Sequence, residues 1–219
     1  MAKSRFVAWL LLAAFVASAQ GVHPVSGRKF AQVMGPGGAD WLVRPERIQE
    51  EEPDRALDAI GIEAGSTVAD VGAGVGYFTW RMAQRVGPKG VVYGQDIQVY
   101  MLDQLQKNVG ERGFANVKTV RGSVYDPKLP KDTLDLVLMV DVYHEFSEPQ
   151  KMLRGIREAL KPGGRVVLLE YRGEDPDVPI RPEHKMTVKQ VRTELEPEGF
   201  RFDKAIEILP WQHILIFRK

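Results

Sequence analysis

The stretch ADVGAGVGYFT, residues 69–79, sets Asp70, Gly72, Gly74 and Gly76 at alternating positions directly after a short apolar run. Glycine is required where backbone turns through positive φ, or where a ligand must approach without a side chain in the way. The residues before it, STVADVG, read as a strand. Those after it, YFTWRMAQRVG, place Phe78, Met82 and Val86 on one helical face until Gly87 ends the pattern. A helix beginning near Tyr77 would aim free N–H groups at whatever anion the glycine loop holds.

Working outward, the alternation repeats. GVVYGQDI is a second strand, and the next helix aligns Leu102, Leu105 and Val109 before ERG. NVKTVRGS and LDLVLMVD are strands three and four, the latter apolar almost throughout, as a strand covered on both faces must be. A helix follows with Met152, Ile156 and Leu160 aligned and KPGG as its stop; RVVLLEY is strand five. A last helix, carrying Val188, Val191 and Leu195, leads to RFDKAIEIL and HILIFRK, which can pair as an antiparallel hairpin across PWQ. The expected fold is α/β: a doubly wound, mostly parallel seven-stranded sheet with right-handed crossovers and an antiparallel last strand.

The whole chain bounds the kind of protein. Its 219 residues, 44 % hydrophobic, suffice for one substantial core. With 30 basic against 29 acidic residues the formal charge is +1, so no field recruits nucleic acid or anionic lipid, and small-molecule partners are expected. The absence of cysteine excludes disulfides and thiolate metal sites. Met1 to Gln20 carries Lys3 and Arg5, an apolar run from Phe6 to Val16 and the small residues Ala17-Ser18-Ala19, the three regions of a secretory signal peptide. The expected organisation is a signal peptide over 1–19, an arm or linker over 20–53 that could wall a pocket, and one domain over 54–219. Export to the periplasm or outside is expected; the alternative is an uncleaved membrane anchor with the domain facing the cytoplasm.

The glycine spacing separates two cofactors. A dinucleotide loop, G-x-G-x-x-G, would put its third glycine at position 77, where Tyr77 stands. The pattern D-x-G-x-G-x-G instead resembles the class I S-adenosylmethionine-dependent methyltransferases, and the resemblance runs from about Asp54 to Lys219. It implies a Rossmann-like sheet, S-adenosylmethionine as cofactor and a methyl acceptor. It also implies that Asp70 holds the methionyl amino group, often through water, with Gly72, Gly74 and Gly76 lying against the methionyl portion. By the same resemblance Asp96 takes the ribose hydroxyls, Ile97 and Met101 pack near adenine and ribose, and Ser123 and Val124 stand at the adenine edge, with Ser123 where the family has an acid.

The end of strand four, MVDVYHEF, lies where that family keeps residues beside the transferable methyl. His144 is the first choice for proton acceptor, since imidazole is the side chain that titrates nearest neutrality, and Asp141 is expected to position substrate or cofactor. His184, in the Pro- and charge-rich loop after strand five, could reach the site; His213 reads as a packing or surface residue. No metal is expected: Asp141 matches one ligand of the catechol-type oxygen site, but Glu170-Tyr171 replaces the rest. A secreted, non-catalytic binder of a nucleoside or other metabolite on the same fold is the alternative function.

Overall fold

The computed structural model describes residues 21–219, so the leader expected over 1–19 lies outside the described residues. Two helices precede the sheet, α1 (Arg47–Glu51) and α2 (Pro53–Ile60). Proline opens α2, where its missing N–H costs nothing, and Gly61 closes it at φ +67°. The main alternation follows: β1 (Thr67–Val71), α3 (Thr79–Val86), β2 (Val91–Asp96), α4 (Val99–Glu111), β3 (Val117–Arg121), β4 (Leu134–Val140), α5 (Pro149–Ala159) and β5 (Leu160–Arg172). The chain ends with β6 (Lys185–Met186), α6 (Val188–Leu195), β7 (Arg201–Ile206) and β8 (Gln212–Arg218).

The strands form one sheet in the order β3-β2-β1-β4-β5-β8-β7, with β6 attached to β5 beside that path. β8 runs antiparallel to both β5 and β7, and every other pairing is parallel. The expected seven strands and closing hairpin are present. The eighth strand has two residues, which is too short to show a period.

Side chains alternate across β4 into two cores. Val137 and Met139 join Met152, Leu153 and Ile156 of α5 on one face. Leu136 and Leu138 join Leu57 and Ile60 of α2 and Met82 of α3 on the other. This is why the strand is apolar at nearly every position.

The elements depart from the sequence reading at several points. α3 begins at Thr79, two residues beyond Tyr77, because the backbone spends Ala73 to Phe78 turning. α5 stops at Ala159: Leu160 is extended, at φ −72° and ψ 137°, and opens the β5 range, whose register with β4 shifts between Leu160 and Arg165. α1 is too short to show an apolar period.

Candidate functional site

β1 and β4 are neighbours in the sheet, while their following connections leave in opposite directions, to β2 on one side and β5 on the other. The carboxyl ends of such a pair leave a crevice. Here that crevice opens into a cavity of about 600 Å³, within the range of small-molecule sites. Gly72 after β1, Gln95 and Asp96 at the end of β2, and Asp141 after β4 all line it.

The glycine loop is left-handed at each glycine, with φ +72° at Gly72, +53° at Gly74 and +86° at Gly76. A Cβ on Gly72 would stand 2.3 Å from Val142 Cγ2, so that position is required twice over. Gly72 and Gly74 line the cavity. Gly76 does not; a Cβ there would meet Leu105 Cγ of α4 at 2.9 Å, so this glycine serves helix packing. Asp70 lies beside the main cavity on a smaller one of about 40 Å³, room for a bridging water. Thr79 Oγ1 donates to Asp70 Oδ2 at 2.6 Å, yet burial still pushes the carboxyl up to about 6.

Asp96 accepts the Gly74 amide at Oδ2 (3.0 Å) and the Gln98 amide at Oδ1 (2.8 Å). Burial raises its pKa, and these amides, with that of Ile97, oppose the rise. Each oxygen keeps a lone pair for a further donor. Ile97, Met101, Ser123 and Val124 line the same part of the wall.

Asp141 is a non-glycine residue at φ +48°, a costly conformation of the kind that gathers at functional sites. Its Oδ2 accepts from Gln212 Nε2 at 2.6 Å, while Oδ1 is buried without a partner. Burial, with Glu51 and Glu170 nearby, raises its pKa well above the ordinary carboxylate range.

His144 sits in a 3-10 turn, Tyr143–Glu145, and is buried while lining the cavity. Its Nδ1 lies 2.6 Å from Glu170 Oε2, and Glu170 Oε1 accepts the Tyr143 amide at 3.1 Å. With Glu170 Oε2 as acceptor, Nδ1 is the donor of this bond, and in a neutral imidazole the lone pair then falls on Nε2. Nε2 faces His184 Nδ1 at 3.1 Å, and burial lowers the His184 pKa. Glu145 borders the same space, its carboxyl raised to about 7 by burial. His213 is buried within β8, apart from the cavity.

The structure adds residues that the sequence did not single out. Arg47 of α1 is buried, donates through Nε to both Glu51 oxygens and through Nη1 to the Leu42 carbonyl, and lines both cavities. Among the described residues its Nη2 makes no hydrogen bond. The two walls expected from sequence are both present: the arm before α1, with Trp41 and Leu42, reaches the cavity together with Gln32, Val33 and Met34, and the loop after β5 reaches it through Pro179, Ile180 and Arg181. Glu170 could have been suspected only from its place at the end of a strand.

Comparison with known proteins agrees with this geometry. Residues 62–208 match the model of a methyltransferase domain. The demethylmenaquinone methyltransferase of Geobacillus sp. (strain WCH70) is 33 % identical over 114 residues, covering 52 % of this chain and 49 % of that protein. The arsenite methyltransferase of Halobacterium salinarum is 29 % identical over 156 residues, covering 67 % and 39 %. The chain thus spans about half or less of the length of the curated relatives it matches. A solved structure of a SAM-dependent methyltransferase from Aquifex aeolicus superposes with a TM-score of 0.80 at 28 % identity, over 85 % of this chain and 99 % of that one. With the family model covering most of the sheet, and the same sheet recurring in that structure, the chain belongs to the class I S-adenosylmethionine-dependent methyltransferases.

Proposed function

We propose that the protein transfers a methyl group from S-adenosylmethionine to a small molecule held between the 3-10 turns Tyr143–Glu145 and Pro182–His184. One observation carries the reading: the cavity at the switch point is rich in carboxyl groups. Asp96, Asp141 and Glu145 line it and Asp70 adjoins it, against Arg47 and Arg181. Burial raises all four of these carboxyls, and a positively charged ligand beside them would stabilise their ionised forms; the cofactor carries a sulfonium and an ammonium against one carboxylate. The orphaned Asp141 Oδ1 and Gln95 Nε2, both on residues of the wall, fit a ligand with polar groups to offer them.

When bound, the cofactor supplies a methyl carbon activated by its sulfonium. The remaining work falls to the chain. Asp96 receives the ribose hydroxyls on its two free lone pairs, and Ile97 and Met101 pack beside the base, with Ser123 and Val124 at its edge. Gly72 and Gly74 let backbone lie against the methionyl portion, Asp70 reaches its ammonium through a water, and Arg47 Nη2 is free for its carboxylate. Asp141 faces the positive charge. His144, its Nδ1 proton kept by Glu170, presents Nε2 to the acceptor and can take its proton. The segment before α1 and the loop after β5 exclude water and align the acceptor for in-line displacement.

Isothermal titration of the full chain with S-adenosylmethionine and, separately, S-adenosylhomocysteine tests this. Saturable micromolar binding of both is expected; tight NADH binding with neither of them overturns the reading. Binding without turnover across a broad acceptor panel would favour the metabolite-binding alternative.

A further inference from the structure

The acceptor end of the cavity gathers two imidazoles and a carboxylate from segments far apart in sequence. His144 and Glu145 come from the turn after β4, and His184 from the turn that ends the loop after β5. One ligand atom from each lies within 4.8 Å of the other two. His144 Nε2 and His184 Nδ1 stand 3.1 Å apart with their rings nearly perpendicular, at 83°. Two imidazole nitrogens on one zinc, each bonded at about 2.0–2.1 Å in a tetrahedron, are separated by about 3.4 Å, so only a few tenths of an ångström distinguish this pair from a ligated one. An N–H···N hydrogen bond would also give this separation; a metal would in addition draw on Glu145, whose carboxylate oxygen lies within 4.8 Å of both nitrogens.

A second observation concerns the support behind the ligands. A metal-binding histidine generally donates its other N–H to a carboxylate or carbonyl, which fixes the tautomer and raises ligand basicity. His144 has that arrangement: Nδ1 is 2.6 Å from Glu170 Oε2, and Glu170 is itself fully buried and held by the Tyr143 amide. The backbone under His144 is fixed as well. Its carbonyl accepts the Ala31 amide at 3.0 Å and Arg28 Nη1 at 2.9 Å. The outer contacts of a ligand are in place.

We propose that His144 Nε2, His184 Nδ1 and the Glu145 carboxylate form a binding site for a divalent transition-metal ion of the zinc class. Two histidines and one carboxylate are a donor set suited to zinc, and three protein ligands leave a fourth position open to the cavity. That position selects acceptors with an oxygen or sulfur able to ligate. The inference rests on the reading that the acceptor lodges at this end, and it gives His144 a role as ligand in place of proton acceptor. No local spacing signals the site, because His144 and His184 are 40 positions apart and share no metal-binding motif.

The test uses the full chain without an affinity tag, stripped with a chelator and titrated with Co2+ as a spectroscopic substitute for zinc. Expected are one equivalent bound, with the visible absorption of a low-symmetry nitrogen and oxygen site, and a loss of at least tenfold in affinity in both His184→Gln and Glu145→Gln. No saturable binding by the wild-type chain, or binding that survives either substitution unchanged, overturns the site. Cooperative thermal unfolding verifies that each sample is folded, and S-adenosylhomocysteine is titrated into the same samples. Cobalt binding without S-adenosylhomocysteine binding would leave the metal site standing and remove the transferase reading. The reverse result would remove the metal site alone.

Discussion

Asp96 ends β2 with each carboxylate oxygen already holding a backbone N–H, an arrangement that orients its free lone pairs before any ligand arrives. Asp96→Ala is therefore expected to weaken S-adenosylhomocysteine binding by about 1–3 kcal/mol, the scale of hydrogen bonds to a charged group. Calorimetry on a folded variant showing wild-type affinity would take Asp96 out of the site. Asp70 offers a prediction in pH. Its carboxyl is raised to about 6 in the folded chain from 3.8, so the folded state holds this proton more tightly than the unfolded one. The stabilisation is complete below the unfolded value and is lost as pH rises through the folded one, on the order of 3 kcal/mol across that window. Asp70→Asn should flatten this part of the profile, read as urea midpoints at about pH 4.5 and about pH 6.5; an unaltered slope would show that Asp70 does not carry it. Asp70, Asp96, Gly72 and Gly74 were legible in sequence because their requirements are local: a strand end, a turn, a positive φ. Arg47 and Glu170 were not, because each matters through a partner or cavity wall supplied by another part of the chain.

At the scale of elements, the segment before α1 has no apolar period and reads as a linker, yet it is tied down by side chains. Arg28 donates to both Glu194 oxygens of α6 (Nε to Oε1 and Nη2 to Oε2, each 3.0 Å) and to the His144 carbonyl. Ser26 Oγ also donates to Glu194, and His23 lies 3.4 Å from it. Glu194 is buried, so Arg28→Ala would strand its charge. The expected cost is about 3–5 kcal/mol, measured as a fall in the denaturant midpoint, with residues 21–46 becoming cleavable by trypsin under native conditions. A loss below about 1 kcal/mol would mean that the segment is not anchored there. Such anchoring leaves no periodic trace, because it consists of single polar contacts to distant elements. α3 and β4 show the contrary case, with boundaries readable to within about two residues from apolar spacing and the glycine that ends α3.

Across the whole molecule, formal charge is nearly balanced and no helix among the described residues is long and apolar enough to cross a membrane. We propose that residues 1–19 are a cleaved export signal. Intact mass and N-terminal sequencing of protein recovered from its own cells should then give a chain beginning at Gln20, and a chain retaining Met1 would support the anchored alternative. The alternation of short strands and amphipathic helices determined the fold class and seven of the eight strands, and the position of D-x-G-x-G-x-G after the first strand determined where a cofactor would lie. Those are properties of neighbouring residues, set by side-chain period and backbone torsion. Which side chains face one another across the crevice was decided only by the tertiary structure. The sheet order places the ends of β4 and β5 side by side and so joins His144 to Glu170, the loop after β5 returns His184 to them, and the N-terminal segment walls the cavity that both histidines line. Contacts between such distant positions depend on packing, and no local pattern in the chain encodes them.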